Sequence, residues 1–406
     1  MSHSLLQSTL LPAFVCLAER CDDTCCKGWS MQVDAPTCHK YAKEAPELLA
    51  AVADAGGPAA RMRRDDTDYC VKLEDGLCGI HKRYGAEYLG DACYFYPRVT
   101  RRLGDQVIMT ATLSCPEIAR LSLFGAEPIA LAPGFATRLP VETKDYLPEG
   151  LSAAQALAIH QAFLEAVAGA PSPEEGFACV ISVANSLSRL PATSWPEAVP
   201  FYMKSAATGS VPAEENLEDP FNLLHALCGL IAATHLPRNP RLSTTIAAME
   251  RALATTLDWS SVAISLTPGS KDRLAVMREH WRLEHAPAHR NMFTRWLQFQ
   301  LSSCLFPFAG LGANPAERIT ILGVRFATFK LAVMCENANV SWRLPGAPPP
   351  PDASIAHSAL PQEIVVRIAQ SLARVLDHLG DPDFSLRIYH EAGWTRETRL
   401  RGLVAF

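Results

Sequence analysis

The sequence has no run of about 18 uninterrupted apolar residues, so no membrane-spanning helix is expected. It has no basic excess: a formal net charge of −5 excludes the electrostatic footprint of a nucleic-acid binder and leaves a protein or small molecule as the expected partner. No Lys or Arg precedes the apolar stretch within Met1 to Glu19, which argues against a secretory signal. Cys16 follows Phe14 and Val15 rather than a small residue, so it does not read as a lipoprotein cysteine. No internal repeat is found. These absences together make the cytoplasm the expected location.

What is present fits a globular chain. Apolar residues make up 49% and charged residues 19% of 406 residues, enough for two or three packed units. Cysteine is the unusual component: there are thirteen, and nine of them lie between Cys16 and Cys115. In a secreted chain such crowding reads as disulfides, and in a cytoplasmic one as a metal site or catalysis. The odd count and the missing signal favour a metal.

The expected fold class is mostly α: a cysteine-rich α+β N-terminal metal-binding unit with short hairpins, followed by a larger all-helical region. Residues 1–125 form the first unit, 126–150 a proline-bearing connector, and 151–406 the helical one. One hairpin is expected from Tyr69 to Leu73 and Leu77 to His81 around Glu74-Asp75-Gly76. A second is expected from Arg98 to Arg102 and Gln106 to Leu113 around Leu103-Gly104-Asp105. Ser114 and Glu117 read as a capping box opening a helix that Gly125 ends. Helical patterns follow at Leu151 to Ala168, Phe221 to His235, Ser243 to Leu257, His289 to Leu305, Pro315 to Asn337 and Pro361 to Leu379. In the last, Ile364, Ile368, Leu372, Val375 and Leu379 share a face. The proline-rich stretch from Leu344 to Ala353 reads as a linker or surface loop. Gly310-Leu311-Gly312-Ala313-Asn314-Pro315 reads as a turn between helices.

The candidate metal ligands are Cys16, Cys21, Cys25, Cys26, Cys70, Cys78, Cys93 and Cys115. Soft thiolates suit zinc or iron–sulfur clusters, and four complete one [4Fe–4S] cluster. Adjacent Cys25 and Cys26 point apart, so one is favoured over both. Cys115, placed in the first turn of its helix, gains from the helix dipole and free N–H groups. Cys78-x-x-His81 also has a zinc-ligand spacing, which keeps zinc open as the alternative metal. Cys38, Cys179, Cys228, Cys304 and Cys335 read as small packed side chains.

Three blocks in order resemble the flagellin lysine N-methylase family: CLAERCDDTCCKGW (Cys16 to Trp29), LEDGLCGIHKRYGAEYLGDACYFYPR (Leu73 to Arg98) and LSCPEIARL (Leu113 to Leu121). A looser match is HRNMFTRWLQFQLSSCLFPF, from His289 to Phe308. The resemblance implies methyl transfer from S-adenosylmethionine to lysine amines of flagellin, with a [4Fe–4S] cluster needed for activity. Neither the glycine-rich turn of a common methyltransferase fold nor a C-x3-C-x2-C radical signature is present, since Gly28 stands at the third position of the latter. The donor pocket is therefore not located by motif.

Methyl transfer requires a neutral lysine amine, whose free pKa is about 10.4. Glu117, Tyr96 and Glu87, with Asp91, are the candidate bases. Trp29 and Tyr94 could face a sulfonium or ammonium cation, and Arg98 a carboxylate. Arg101 and Arg102 could share that last role or belong to a solvated strand face. Arg61, Arg63 and Arg64 read as a solvated charged loop. The other reading of the whole chain is non-catalytic: a zinc- or iron–sulfur-binding scaffold or electron-transfer protein.

Overall fold

The β-branched and apolar run after Gly104 forms a strand whose second half, Ile108 to Ala111, is buried on both faces. Gln106–Ala111 pairs antiparallel with Arg98–Leu103, in register from Arg98↔Ala111 to Leu103↔Gln106. Gly104 turns the chain at φ 64°, a left-handed conformation in which a side chain would be strained. Two further strands complete a four-stranded sheet. His3–Ser8 lies parallel to Gln106–Ala111 and antiparallel to Leu131–Ala136, giving the order Arg98–Leu103, Gln106–Ala111, His3–Ser8, Leu131–Ala136. The computed structural model describes residues 3–208, 213–233, 240–341, 360–377 and 381–406.

The expected connector therefore contains an edge strand, hidden in the sequence by Pro133 and Gly134. A proline is tolerated there because an edge strand has free N–H positions. The first hairpin is shorter than expected: Leu73–Glu74 pairs with Leu77–Cys78 across Asp75 and Gly76, both at positive φ, as its two-residue turn demands. Gly79–Tyr84 is helical rather than a continuation of the strand.

The helix after Leu113 runs Pro116–Phe124 and does end at Gly125, but the capping box is not formed. Cys115 takes the N-cap and Pro116 the first helical position, so Glu117 sits one residue too early to reach back. Its carboxylate accepts from Arg120 at 2.6 and 2.8 Å. The Ser114 hydroxyl instead lies 3.1 Å from that of Tyr96.

The rest is mostly helical. Ala153–Ala168, Asp219–Ala233, Ala286–Ser303, Pro315–Ser341 and Gln362–Leu376 correspond to expected helices. His235, Leu379 and the proline stretch from Leu344 to Ala353 lie outside the described residues. The region is not all-helical. The helix expected to reach Leu257 stops at Leu253, Ala254 takes φ 51°, and Thr255–Asp258 pairs with Ala263–Leu266. Two adjacent β-branched threonines favour that exit. Helices at Pro173–Leu187, Trp195–Thr208, Ser270–His280, Pro382–Glu391 and Glu397–Ala405 add to the body. The Gly310 turn does link two helices, with Gly310 and Gly312 at φ 116° and 105°.

Among the described residues two hydrophobic cores result. A small one gathers Cys26, Met31, Val33, Tyr41, Leu48, Val52, Met62 and Ile80. The large one joins the sheet, through Leu5 and Ile108, to the helices, through Ile118, Phe163, Phe326 and Ile368. No described helix is long and apolar enough to cross a membrane.

Candidate metal centre

The loop carrying Cys21, Cys25 and Cys26 is built by short polar contacts. Asp23 Oδ1 accepts from Thr24 N at 2.8 Å, and Thr24 Oγ1 accepts from Cys26 N at 3.1 Å. The Trp29 indole N–H donates to the Cys25 carbonyl at 2.7 Å. The second cysteine block is strapped to the first: Cys70 N donates to Cys26 O at 2.8 Å, and the Lys27 ammonium sits 4.1 Å above the Tyr69 ring. Cys78 ends its two-residue strand and Cys93 lies in the Asp91–Phe95 helix. That helix is anchored by Asp34, which accepts from Asp91 N at 2.8 Å. The Asp91 carboxylate accepts from Arg138 and from Val141 N, each at 2.6 Å.

The eight candidate thiols fall into two adjoining groups that share Cys25. In one, the Cys26 thiol hydrogen-bonds with those of Cys25 and Cys78, so the adjacent pair does not point apart as expected; these bonds push the Cys26 pKa up, burial adding to the effect. The same bond lowers Cys78 to about 6, against burial and with help from the His81 and Ile80 N–H groups. Burial raises Cys93 and Cys70, and the charges of Cys78 and Cys25 add to it. In the other group burial lifts Cys115 to about 12, the N–H groups of Ile118 and Glu117 opposing, Cys21 and Cys16 reinforcing. Burial raises Cys21, the Asp23 N–H opposing and the charges of Asp23, Cys16 and Cys25 adding to it. Among the described residues, no group of three or more His, Cys, Asp and Glu side chains is arranged to hold a metal ion.

Of the other candidates, Trp29 and Tyr96 come together, their rings stacked at 5.8 Å and 27°. Tyr96 stands beside Cys115, Cys25 and Arg374, and burial raises its pKa above the ordinary phenol value. Tyr94 lies under the Arg138 guanidinium at 4.5 Å, and the Arg98 guanidinium covers Phe14 at 5.3 Å. Glu117 is buried against Arg120, whereas Glu87 is exposed. Arg101 is turned inward, donating to Ser303 O and lying 3.4 Å from Thr110 Oγ1. The expected solvated loop is partly structured: Arg61 is half-buried in a short strand, Arg61–Met62, that pairs with Val52–Ala53, and it bridges to Asp54, whereas exposed Arg64 pairs with Asp68.

Sequence reasoning missed the partners supplied by the far end of the chain. From the Gln362–Leu376 helix, Arg374 and Gln370 reach Asp23 at 2.5 and 2.6 Å. Just beyond, Asp377 accepts from Arg325 at 2.9 Å and lies 3.2 Å from the Thr112 hydroxyl. The available signal was a pair of polar residues four apart, Gln370 and Arg374, in a helix otherwise read from its apolar face.

The fold and site thus define a mostly helical protein with a thiol-rich N-terminal region seated on its sheet and helices. No protein-family model matches the chain, and no solved structure matches it. It is similar to the flagellar biosynthetic protein FliU of Salmonella muenchen, 28% identical over 136 residues, covering 30% of this chain and 79% of that protein. It is also similar to the lysine-N-methylases of Salmonella typhimurium and Salmonella choleraesuis, each 28% identical over 137 residues, covering 30% of this chain and 34% of theirs. The match spans about a third of the length of those methylases.

Proposed function

We propose that this chain methylates lysine side chains of flagellin, with S-adenosylmethionine as donor, and that its N-terminal cysteines hold an iron–sulfur cluster. The observation that carries the reaction is the similarity to two lysine-N-methylases and to FliU. The cluster is supported by eight thiols drawn from four separate segments into one region. Thiolates this close repel one another, and a bound cationic centre removes that penalty. Four thiolates complete one such cluster, so either Cys16, Cys21, Cys25 and Cys115 or Cys26, Cys70, Cys78 and Cys93 would hold it; zinc suits the same donors. In this reading residues 1–125 are the metal-holding unit, 126–150 the connector and 151–406 the helical body.

The sulfonium donor supplies an electrophilic methyl group. The chain's task is to present a lysine with a free lone pair and take up its proton. Tyr96 is the best placed candidate. With its raised pKa it is a neutral phenol, so it accepts a proton only as it passes its own on. A path exists: Tyr96 OH is 3.1 Å from Ser114 Oγ, which is 3.2 Å from Thr112 Oγ1, itself 3.2 Å from Asp377 Oδ2. Thr112 Oγ1 is placed to donate to Ser114 Oγ and to Asp377 Oδ2 and has one proton to give; with that proton on the Asp377 side, Ser114 Oγ is left to accept from Tyr96. The Trp29–Tyr96 stack offers an aromatic face to the ammonium before it is deprotonated.

The test is incubation of the anaerobically purified chain with flagellin and S-adenosylmethionine, followed by mass spectrometry of flagellin lysines. Methyl-lysine supports the reading. Cluster-loaded protein that transfers no methyl group overturns it in favour of the non-catalytic scaffold.

A further inference from the structure

The Gln362–Leu376 helix packs on the Pro116–Phe124 helix and sends two polar side chains, one turn apart, to the first cysteine loop. Arg374 Nη1 donates to Asp23 Oδ2 at 2.5 Å, and its Nη2 donates to Thr24 O at 2.7 Å and Lys27 O at 2.9 Å. Gln370, fully buried, donates from Nε2 to the same Asp23 oxygen at 2.6 Å and to Ser114 O at 3.2 Å. The two gripped carbonyls bracket Cys25 and Cys26, and Ser114 immediately precedes Cys115. Arg241 adds a third hold on the loop, donating to Asp22 O at 3.0 Å.

This arrangement exceeds what packing needs. The Arg374 and Asp23 side chains are only 10% and 15% exposed, and withdrawing a guanidinium from water is costly unless its donors are all used. Here one goes to the Asp23 carboxylate and two go to the backbone at either side of two thiols. The cation also lies beside Cys25, where cluster-bound thiolates would concentrate negative charge.

We propose that Arg374, seated by Asp23 and Gln370, is the positioning residue of the metal centre: it fixes the Cys25-Cys26 loop for cluster binding and offsets the thiolate charge. This rests on the reading of the cysteines as cluster ligands. Residues that orient first ligands typically change metal affinity by about 10- to 100-fold when removed.

The experiment uses the full chain, reconstituted anaerobically with iron and sulfide. Iron and sulfide per chain and the rate of iron release to a chelator are measured for wild type, Arg374→Met, Arg374→Lys and Arg367→Met. Arg367 lies on the same helix but pairs with Glu336 at 2.8 Å, so its removal controls for helix damage. Expected are at least about tenfold faster release for Arg374→Met, a smaller increase for Arg374→Lys, which keeps the charge but not the fork, and wild-type release for Arg367→Met. Hydrogen exchange on the metal-free chains gives a second readout: Arg374→Met should lose protection across 21–27 while the large core keeps it. Wild-type release together with unchanged exchange in Arg374→Met overturns the proposal. Wild-type protein that takes up no iron refutes the cluster reading and the metal half of this proposal, while the exchange result still decides whether Arg374 orders the loop.

Discussion

Arg399 donates to Asp219 Oδ1 at 2.8 Å with both side chains shut away from water, and the Trp394 indole donates to the same oxygen at 3.1 Å. This pair ties the Glu397–Ala405 helix to Asp219–Ala233. Removing one member strands a charge in a dry site. Asp219→Ala should therefore lower stability by about 3–5 kcal/mol in chemical denaturation. Glu214→Ala, which removes the exposed partner of Arg396, should cost less than about 1 kcal/mol. Equal effects would mean that the interior pair is solvated.

His160 is buried, and its Nδ1 lies 2.8 Å from Phe306 O, so the neutral ring donates there. Burial lowers its pKa from 6.5 to about 4. Below about 6.5 the unfolded chain takes up a proton that the folded chain refuses. Stability should therefore fall as pH drops from about 6.5 toward 4, by up to about 3 kcal/mol, and level off below. In His160→Asn that part of the slope should vanish. An unchanged slope in the variant assigns the pH dependence elsewhere.

Protein purified without oxygen should contain iron and sulfide in equal amounts, about four of each for one [4Fe–4S] cluster. Replacing Cys78 or Cys115 by serine should lose them and destabilise the N-terminal region, because metal binding and folding are coupled. Replacing Cys228 or Cys335, both buried in the helical body, should leave them in place. Stoichiometric zinc without sulfide would replace the cluster by a zinc site.

Tyr96→Phe should reduce methyl transfer by about 10²- to 10⁴-fold with the iron content unchanged. Thr112→Val should share that defect because it cuts the path to Asp377. Glu117→Gln should matter less, since the carboxylate is already engaged by Arg120. A Tyr96→Phe enzyme of undiminished rate would remove Tyr96 from proton transfer.

The legible parts of the sequence were those in which a local rule and a tertiary need agree. The Gly104 hairpin and the helices of the body came through because their periodicity and turn residues match the face they bury. The strand at Leu131–Ala136 did not, because Pro133 and Gly134 are poor strand formers and only pairing with His3–Ser8 makes them extended. The capping box failed through competition: Cys115 took the cap, and Ser114 found a partner eighteen residues away in Tyr96. Cysteine spacing drew attention to the first loop, but the residues that hold that loop, Gln370 and Arg374, are some 350 residues downstream and follow no local rule.

The placement of His3–Ser8 inside the sheet bears on how the protein is made. Its two neighbouring strands are about a hundred or more residues downstream, so during synthesis this segment leaves the ribosome long before anything can pair with it. Every cysteine block up to Cys115 emerges in that interval, before Leu131–Ala136 closes the sheet. The nascent chain thus displays its thiols on an unclosed scaffold, ahead of the Gln362–Leu376 helix that finally clasps the first cysteine loop.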